Sequence, residues 1–190
     1  MSLLETQNFL ARLYTDETLR RTFLTEPEKI GEEYNLTEKE IVELAAILPD
    51  ELNFFADSLF WKRLREVEKF LPLTRKVLDK DFEKCFRGFS QNFNPKSVKK
   101  HLEDAIEFCS FLQTKEIEPL WAKDLAKFEQ ARLIFNSNAR NFIIERFNYD
   151  IKRILKELSR KDTKTQSVFP KRRTFAFWLK IGKITKHFIR

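Results

Sequence analysis

The sequence predicts an α+β protein: a mostly helical N-terminal bundle followed by a small antiparallel sheet with one helix at the C-terminus. Three observations carry this prediction. Helix start signals and apolar residues at three- and four-residue spacing recur from the first residues to about Phe135. From Asn141 onward the pattern changes to short runs rich in β-branched and aromatic residues. Three Gly and six Pro in 190 residues are too few for the many tight turns of an all-β sandwich. Residues 1–139 are expected to form a helical domain around a central helix at 51–71, and 140–190 a small α/β appendage.

Ser2 and Glu5 have the spacing of a capping box, so the chain opens into a helix, and Asp16 starts a second. Pro27 suits the first turn of a third, where its missing amide hydrogen costs nothing. Gly31 to Asn35 reads as a turn. Thr37 and Glu40 form a second capping box, and that helix runs to about Leu48. In the central helix, Leu52, Phe55, Ala56, Leu59, Phe60, Leu64, Val67, Phe70 and Leu71 share one arc, while Phe54 and Trp61 fall opposite. Apolar residues on both sides imply burial on both sides.

Pro72 breaks the helix. Two shorter helices follow, the second placing Phe82, Phe86, Phe89 and Phe93 on a core face. Ser97 reads as the cap of a helix whose inner face holds Val98, Leu102, Ala105, Ile106, Cys109 and Leu112. Pro119 opens another, with Leu120, Trp121, Leu125, Phe128, Ala131 and Phe135 inward. Arg63 interrupts the apolar arc of the central helix, and Asp124 and Arg132 fall within the arc of this later one. A buried charge needs a partner, so these three are candidates for a buried ion pair or hydrogen-bonded network. A pocket binding a small anion is the other reading.

Residues 141–149 suit a strand, Asp150 can cap a helix, and 160–170 read as a polar linker. Phe175, Phe177, Leu179 and Ile181 alternate on one side of a second strand, and Gly182 permits reversal into Ile184 to Ile189. This hairpin is expected to pair with 141–149, with the Asp150 helix on one face. From Thr163 onward there are eight Lys or Arg and no Asp or Glu, whereas residues 1–162 hold 28 basic and 29 acidic side chains. The net charge of +7 thus belongs to the tail.

No stretch is apolar and long enough to span a bilayer, and Met-Ser-Leu-Leu-Glu-Thr lacks a basic segment leading into an apolar one, so a cytoplasmic location and no membrane partner are expected. Cys85 and Cys109 read as reduced, mostly buried thiols. His101 and His187 have no metal-ligand spacing to Cys, Asp or Glu, and there is no Gly-rich phosphate loop or nucleophile elbow. Asp104 with Glu107, or Glu66 with Glu68, has a spacing that usually marks a solvated face. The expectation is a protein with no catalytic residues, metal or cofactor.

Binding is better supported. A terminal sheet has edge strands that can accept an extended peptide, and Lys171, Arg172, Arg173, Lys180, Lys183 and Lys186 would favour an acidic one. Edge lysines also guard against aggregation, which is the structural reading of the same residues. Interleaved with Phe175, Phe177, Trp178 and Phe188, the basic residues could instead contact phosphates and stack bases, making nucleic-acid binding the alternative.

Phe55-Ala-x-Ser-Leu-x-x-Lys-Arg-Leu-x-x-Val-x-x-Phe-Leu-Pro-Leu-Thr74, Leu102-x-Asp-Ala-x-x-Phe-x-x-Phe-Leu112, Asp124-Leu-Ala-x-Phe-Glu-x-Ala-Arg-Leu133 and the terminal Trp178-x-Lys-x-Gly-Lys183 resemble a family of small bacterial proteins. That family includes the C subunit of methanobactin biosynthesis and domains labelled DNA-binding. The resemblance covers most of the chain in order and rests on packing motifs. It implies helices followed by a small antiparallel sheet, and a non-catalytic accessory subunit. Such a subunit pairs with a TIM-barrel iron enzyme, to which the iron belongs, and holds a precursor peptide partly by strand addition. Phe175 to Ile181 and Ile184 to Ile189 are the edge-strand candidates it implies.

Overall fold

The structure, a computed structural model, describes residues 3–47, 49–137, 139–160, 168–181 and 184–190. Ser2, Leu48, Gly182, Lys183 and most of the expected linker lie outside them. Among the described residues the chain is mostly helical, with ten helices and one three-stranded antiparallel sheet. Contacts group it into two compact units, Met1–Arg65 with Arg87–Asn94, and Glu66–Phe86 with Pro95–Arg190.

The first unit begins with α1 (Leu3–Thr15), α2 (Glu17–Thr25), α3 (Pro27–Glu33) and α4 (Glu38–Ala45). Local chemistry sets their starts. The Asp16 carboxylate accepts the Leu19 amide at 2.9 Å, Pro27 is the first residue of α3, and both bonds of the Thr37–Glu40 capping box form. Glu40 also accepts the Thr6 hydroxyl at 2.6 Å. Phe9, Leu13, Phe23, Ile30, Ile41 and Leu44 form the core between these helices. Gly31 lies inside α3 rather than in a turn, and its lack of a side chain makes room for Ile41, which a β-carbon there would overlap. The positive φ of the following turn falls instead on Asn35, at 55°.

The long helix α5 (Pro49–Phe70) buries Leu52, Ala56, Leu64 and Val67. Its opposite side is not covered as expected. Phe54 is 78% exposed and Trp61 is 38% exposed, so α5 buries one face and carries an aromatic ridge on the other. Phe55, placed on the apolar arc, is also largely exposed while contacting the Tyr14 ring at 4.5 Å.

Pro72 opens α6 (Pro72–Leu78), followed by α7 (Lys80–Ser90), whose residues to Phe86 belong to the second unit, and by α8 (Lys100–Thr114) and α9 (Ala122–Asn136) of that unit. Phe82 and Phe86 meet Phe108 edge-on at 5.1 and 5.2 Å. Ser97 is not the cap of α8: its amide donates to the Glu103 carboxylate at 2.8 Å, the helix starts at Lys100, and Val98 is fully exposed. Leu120 likewise precedes α9 and is exposed.

Strand β1 (Phe142–Tyr149), helix α10 (Ile151–Ser159) and strands β2 (Lys171–Ile181) and β3 (Ile184–Ile189) complete the unit. The sheet order is β1-β2-β3, antiparallel throughout. Asp150 caps α10 by accepting the Arg153 amide at 3.0 Å. The inner face of the sheet packs on α9, where Phe128 supplies the ring that meets Phe147 and Trp178, and the first amide of α10, from Ile151, donates to the buried Thr174 hydroxyl at 3.3 Å. Ile143, Phe147, Thr174, Ala176 and Trp178 are accordingly buried.

Candidate functional site

The terminal sheet places a free edge, an open apolar face and a basic cleft in the second unit. Phe175 and Arg190 exchange both main-chain hydrogen bonds, at 2.8 and 2.9 Å. By antiparallel alternation, Ile184, Lys186 and Phe188 also bond β2, while the amides and carbonyls of Thr185, His187 and Ile189 point away from it. Five of the six β3 residues are exposed, and among the described residues no strand pairs with this outer edge. The β1 edge is partly occupied: Lys127 donates to the Arg146 carbonyl at 3.1 Å and pairs with Glu145 at 2.7 Å.

The same register fixes the outer face. Ile144 lies opposite Phe177, which lies opposite Phe188; Phe142, Leu179 and Lys186 form the next row. Arg146, Phe175 and Arg190 make a row at one end, and Ile181 with Ile184 at the other. The apolar members at the strand edges and ends stay open to solvent, with Phe142 53%, Ile181 66%, Ile184 61% and Phe188 58% exposed. The Phe175-to-Ile181 alternation is thus an outward row, whereas Trp178, expected at a binding surface, is core.

At the other end of β1 a cleft of about 590 Å³ is lined by Lys123, Asp124, Asn148, Tyr149, Lys171 and Arg173. A bulge between Phe147 and Tyr149 turns two amides toward α9. Asp124 Oδ2 accepts both, from Asn148 at 2.7 Å and Tyr149 at 2.8 Å. Burial pushes its carboxyl above the ordinary range, opposed by those two hydrogen bonds. Among the described residues no carboxylate lies within ion-pair distance of Lys123, Lys171 or Arg173, so the cleft is basic.

The expected ion-pair residues take different partners. Asp124 is held by amides rather than a guanidinium, because the bulge delivers two donors to it. Arg132 meets Glu129 at 3.4 Å and the Phe70 carbonyl at 3.4 Å. Arg63 donates to the Phe93 carbonyl at 3.0 Å. It borders a cavity of about 50 Å³ with Arg20 and Arg87, far below the several hundred Å³ of typical small-molecule pockets. Arg172 pairs with Asp150 at 3.3 Å, and Lys186 is exposed. Lys183 lies outside the described residues.

Glu129 escaped the sequence reading. It is fully buried and accepts the amides of Leu73 at 3.2 Å and Thr74 at 2.8 Å, capping α6 from a distance. The signal for it was the apolar N-cap: Leu71 has no side-chain acceptor, so the first amides of α6 need a remote one. The outward rows of β1 were missed for another reason. Alternation shows that Phe142 and Ile144 share a side, but not that the other side is the one α9 covers.

Chemically reactive groups are few. Burial raises the thiol pKa of both Cys85 and Cys109, the latter strongly, which disfavours thiolate chemistry. Among the described residues no group of three or more His, Cys, Asp or Glu is placed to hold a metal ion, and no helix is long and apolar enough to cross a membrane. Comparison of the sequence with protein-family models and with curated proteins gives no match in either.

Proposed function

We propose that this protein is a non-catalytic recognition subunit that binds a protein partner and takes an extended acidic peptide along the outer edge of β3. The observation that carries the proposal is the uncovered edge at Thr185, His187 and Ile189, whose main-chain groups would pair with an added strand. Lys186 and Arg190 supply local positive charge without acidic neighbours on β3. The exposed Phe54 and Trp61 on α5 offer the kind of aromatic anchors that protein partners use. The family resemblance points the same way, and on that reading the partner is a TIM-barrel iron enzyme that holds the metal, with the peptide as its precursor substrate.

Proline at His187 tests the edge directly. It removes an outward amide without removing a β2–β3 hydrogen bond, a substitution that edge strands tolerate. Display selection against the full chain should enrich peptides alternating apolar and acidic residues, and His187→Pro should weaken them at least about tenfold. Enrichment of nothing above background, or equal binding to the variant, would sink the proposal.

Nucleic-acid binding is the second reading, favoured by Phe175 lying between Arg146 and Arg190. Its mark would be an affinity falling linearly in log salt, with a slope of about −0.7 per phosphate contact for single strands.

A further inference from the structure

We infer that the open face of the terminal sheet is the seat of an acidic amphipathic helix on the protein partner, an inference that rests on the recognition reading above. The face combines Ile144, Phe177 and Phe188 in one row, Phe142 and Leu179 in the next, and Ile181 with Ile184 beyond. Scattered exposed apolar residues need no explanation, but a contiguous set on one side of one sheet marks an interaction surface. Its dimensions suit a helix. Three strands about 4.8 Å apart present a strip about 10 Å wide, close to one helix diameter. Four rows about 7 Å apart run about 20 Å, the length of about 14 helical residues. The inner face of the same sheet is already covered by a helix, α9, through Phe128. A partner helix outside would complete a helix–sheet–helix sandwich.

Charge selects the occupant. The outward positions of the three strands from Arg146 to Ile184 include Arg146, Lys186 and Arg190 and no Asp or Glu. Among the described residues none of these cations has a carboxylate at ion-pair distance. A second copy placed face to face would bring no carboxylate to Arg146, Lys186 or Arg190, so it would leave all three cations unpaired. Bases could stack on the phenylalanines, but Ile144, Leu179, Ile181 and Ile184 offer no aromatic surface. A helix with an apolar stripe at i, i+3, i+4 and i+7 flanked by glutamates matches both the centre and the rim.

The test uses the full chain and two labelled helical peptides of about 18 residues, each with a leucine stripe at that spacing, one flanked by Glu and the other by Lys. The Glu peptide should bind and the Lys peptide should not, read by fluorescence anisotropy. Ile144→Glu and Ile181→Glu, both at exposed positions, should each weaken binding about tenfold with the circular dichroism spectrum unchanged. Arg146→Glu combined with Arg190→Glu should reverse the preference toward the Lys peptide, which loss of folding could not do. His187→Pro should leave helix binding intact while weakening strand addition at least about tenfold, so the face and the edge fail separately. Equal binding of the two peptides, or of neither, overturns the inference. So does self-association of the protein through this face, or capture by phosphatidylcholine vesicles with about a third phosphatidylglycerol in place of the Glu peptide.

Discussion

Two buried carboxylates hold main-chain amides that no local residue can satisfy. Glu129 serves the start of α6 and Asp124 the bulge of β1. Glu129→Ala would leave the Leu73 and Thr74 amides without an acceptor and a gap in the core. An unsatisfied buried donor costs about 1–3 kcal/mol, so a loss of about 3 kcal/mol is expected in urea unfolding. The sign of the pH dependence also follows. Burial pushes the Glu129 carboxyl above its ordinary 4.5, opposed by the hydrogen bonds from Thr74 and Leu73 and by Arg132. A carboxyl with a raised folded pKa takes its proton first in the folded state. Its contribution to stability therefore rises as pH falls through the folded pKa and levels off below about 4.5. Glu40 does the opposite. Hydrogen bonds, first from Thr6 and then from Thr37, lower its carboxyl to about 2, so its contribution is fully present above 4.5 and fades as pH falls through about 2. Above pH 4.5 Glu129→Gln should flatten the rise in stability on acidification expected of the parent protein, and an unchanged slope would refute the assignment.

Elements whose ends are set by neighbouring residues were legible in the sequence, and those set by distant packing were not. Asp16, Thr37 and Asp150 each cap the helix they were expected to cap, because the acceptor and the amide lie three residues apart. Gly31 illustrates the opposite case. In isolation it reads as a turn residue, yet it is helical, and Ile41 of α4 packs where its side chain would be. Replacing it by alanine would gain about 1 kcal/mol of helix propensity. Overpacking costs about 1–3 kcal/mol, and here the clash reaches Cγ1 as well as the terminal methyl of a buried, β-branched side chain. The cost should win, and Gly31→Ala should lose about 1 kcal/mol; a raised melting temperature would show that Ile41 yields freely. For the binding elements, the strands and their pairing were readable from alternation, but which face stays open depends on Phe128 of α9, many residues away.

At the scale of the molecule, the basic tail looks detachable in the sequence, since all the net charge lies after residue 162 behind a polar linker. Its contacts say otherwise. Thr174, Ala176 and Trp178 are buried, the Thr174 hydroxyl donates to the Tyr149 carbonyl at 2.8 Å, and Phe169 meets Trp121 edge-on at 5.0 Å. The 140–190 segment accordingly belongs to one compact unit with α8 and α9. Fully burying one large apolar side chain is worth about 1.5–3 kcal/mol, so deleting residues 168–190 removes several such contributions from a domain whose net stability is about 5–15 kcal/mol. The deletion should abolish cooperative unfolding of the second unit and expose apolar surface to dye. Charge and fold are separable by substitution instead. Lys171→Glu, Arg173→Glu and Lys186→Glu together alter only exposed side chains without carboxylate partners among the described residues, and surface changes of this kind usually stay within about 0.5 kcal/mol each. The triple variant should keep the melting temperature within a few degrees while losing affinity for acidic peptides. If it unfolds like the deletion, the cations stabilise the sheet and the tail has no separate recognition role.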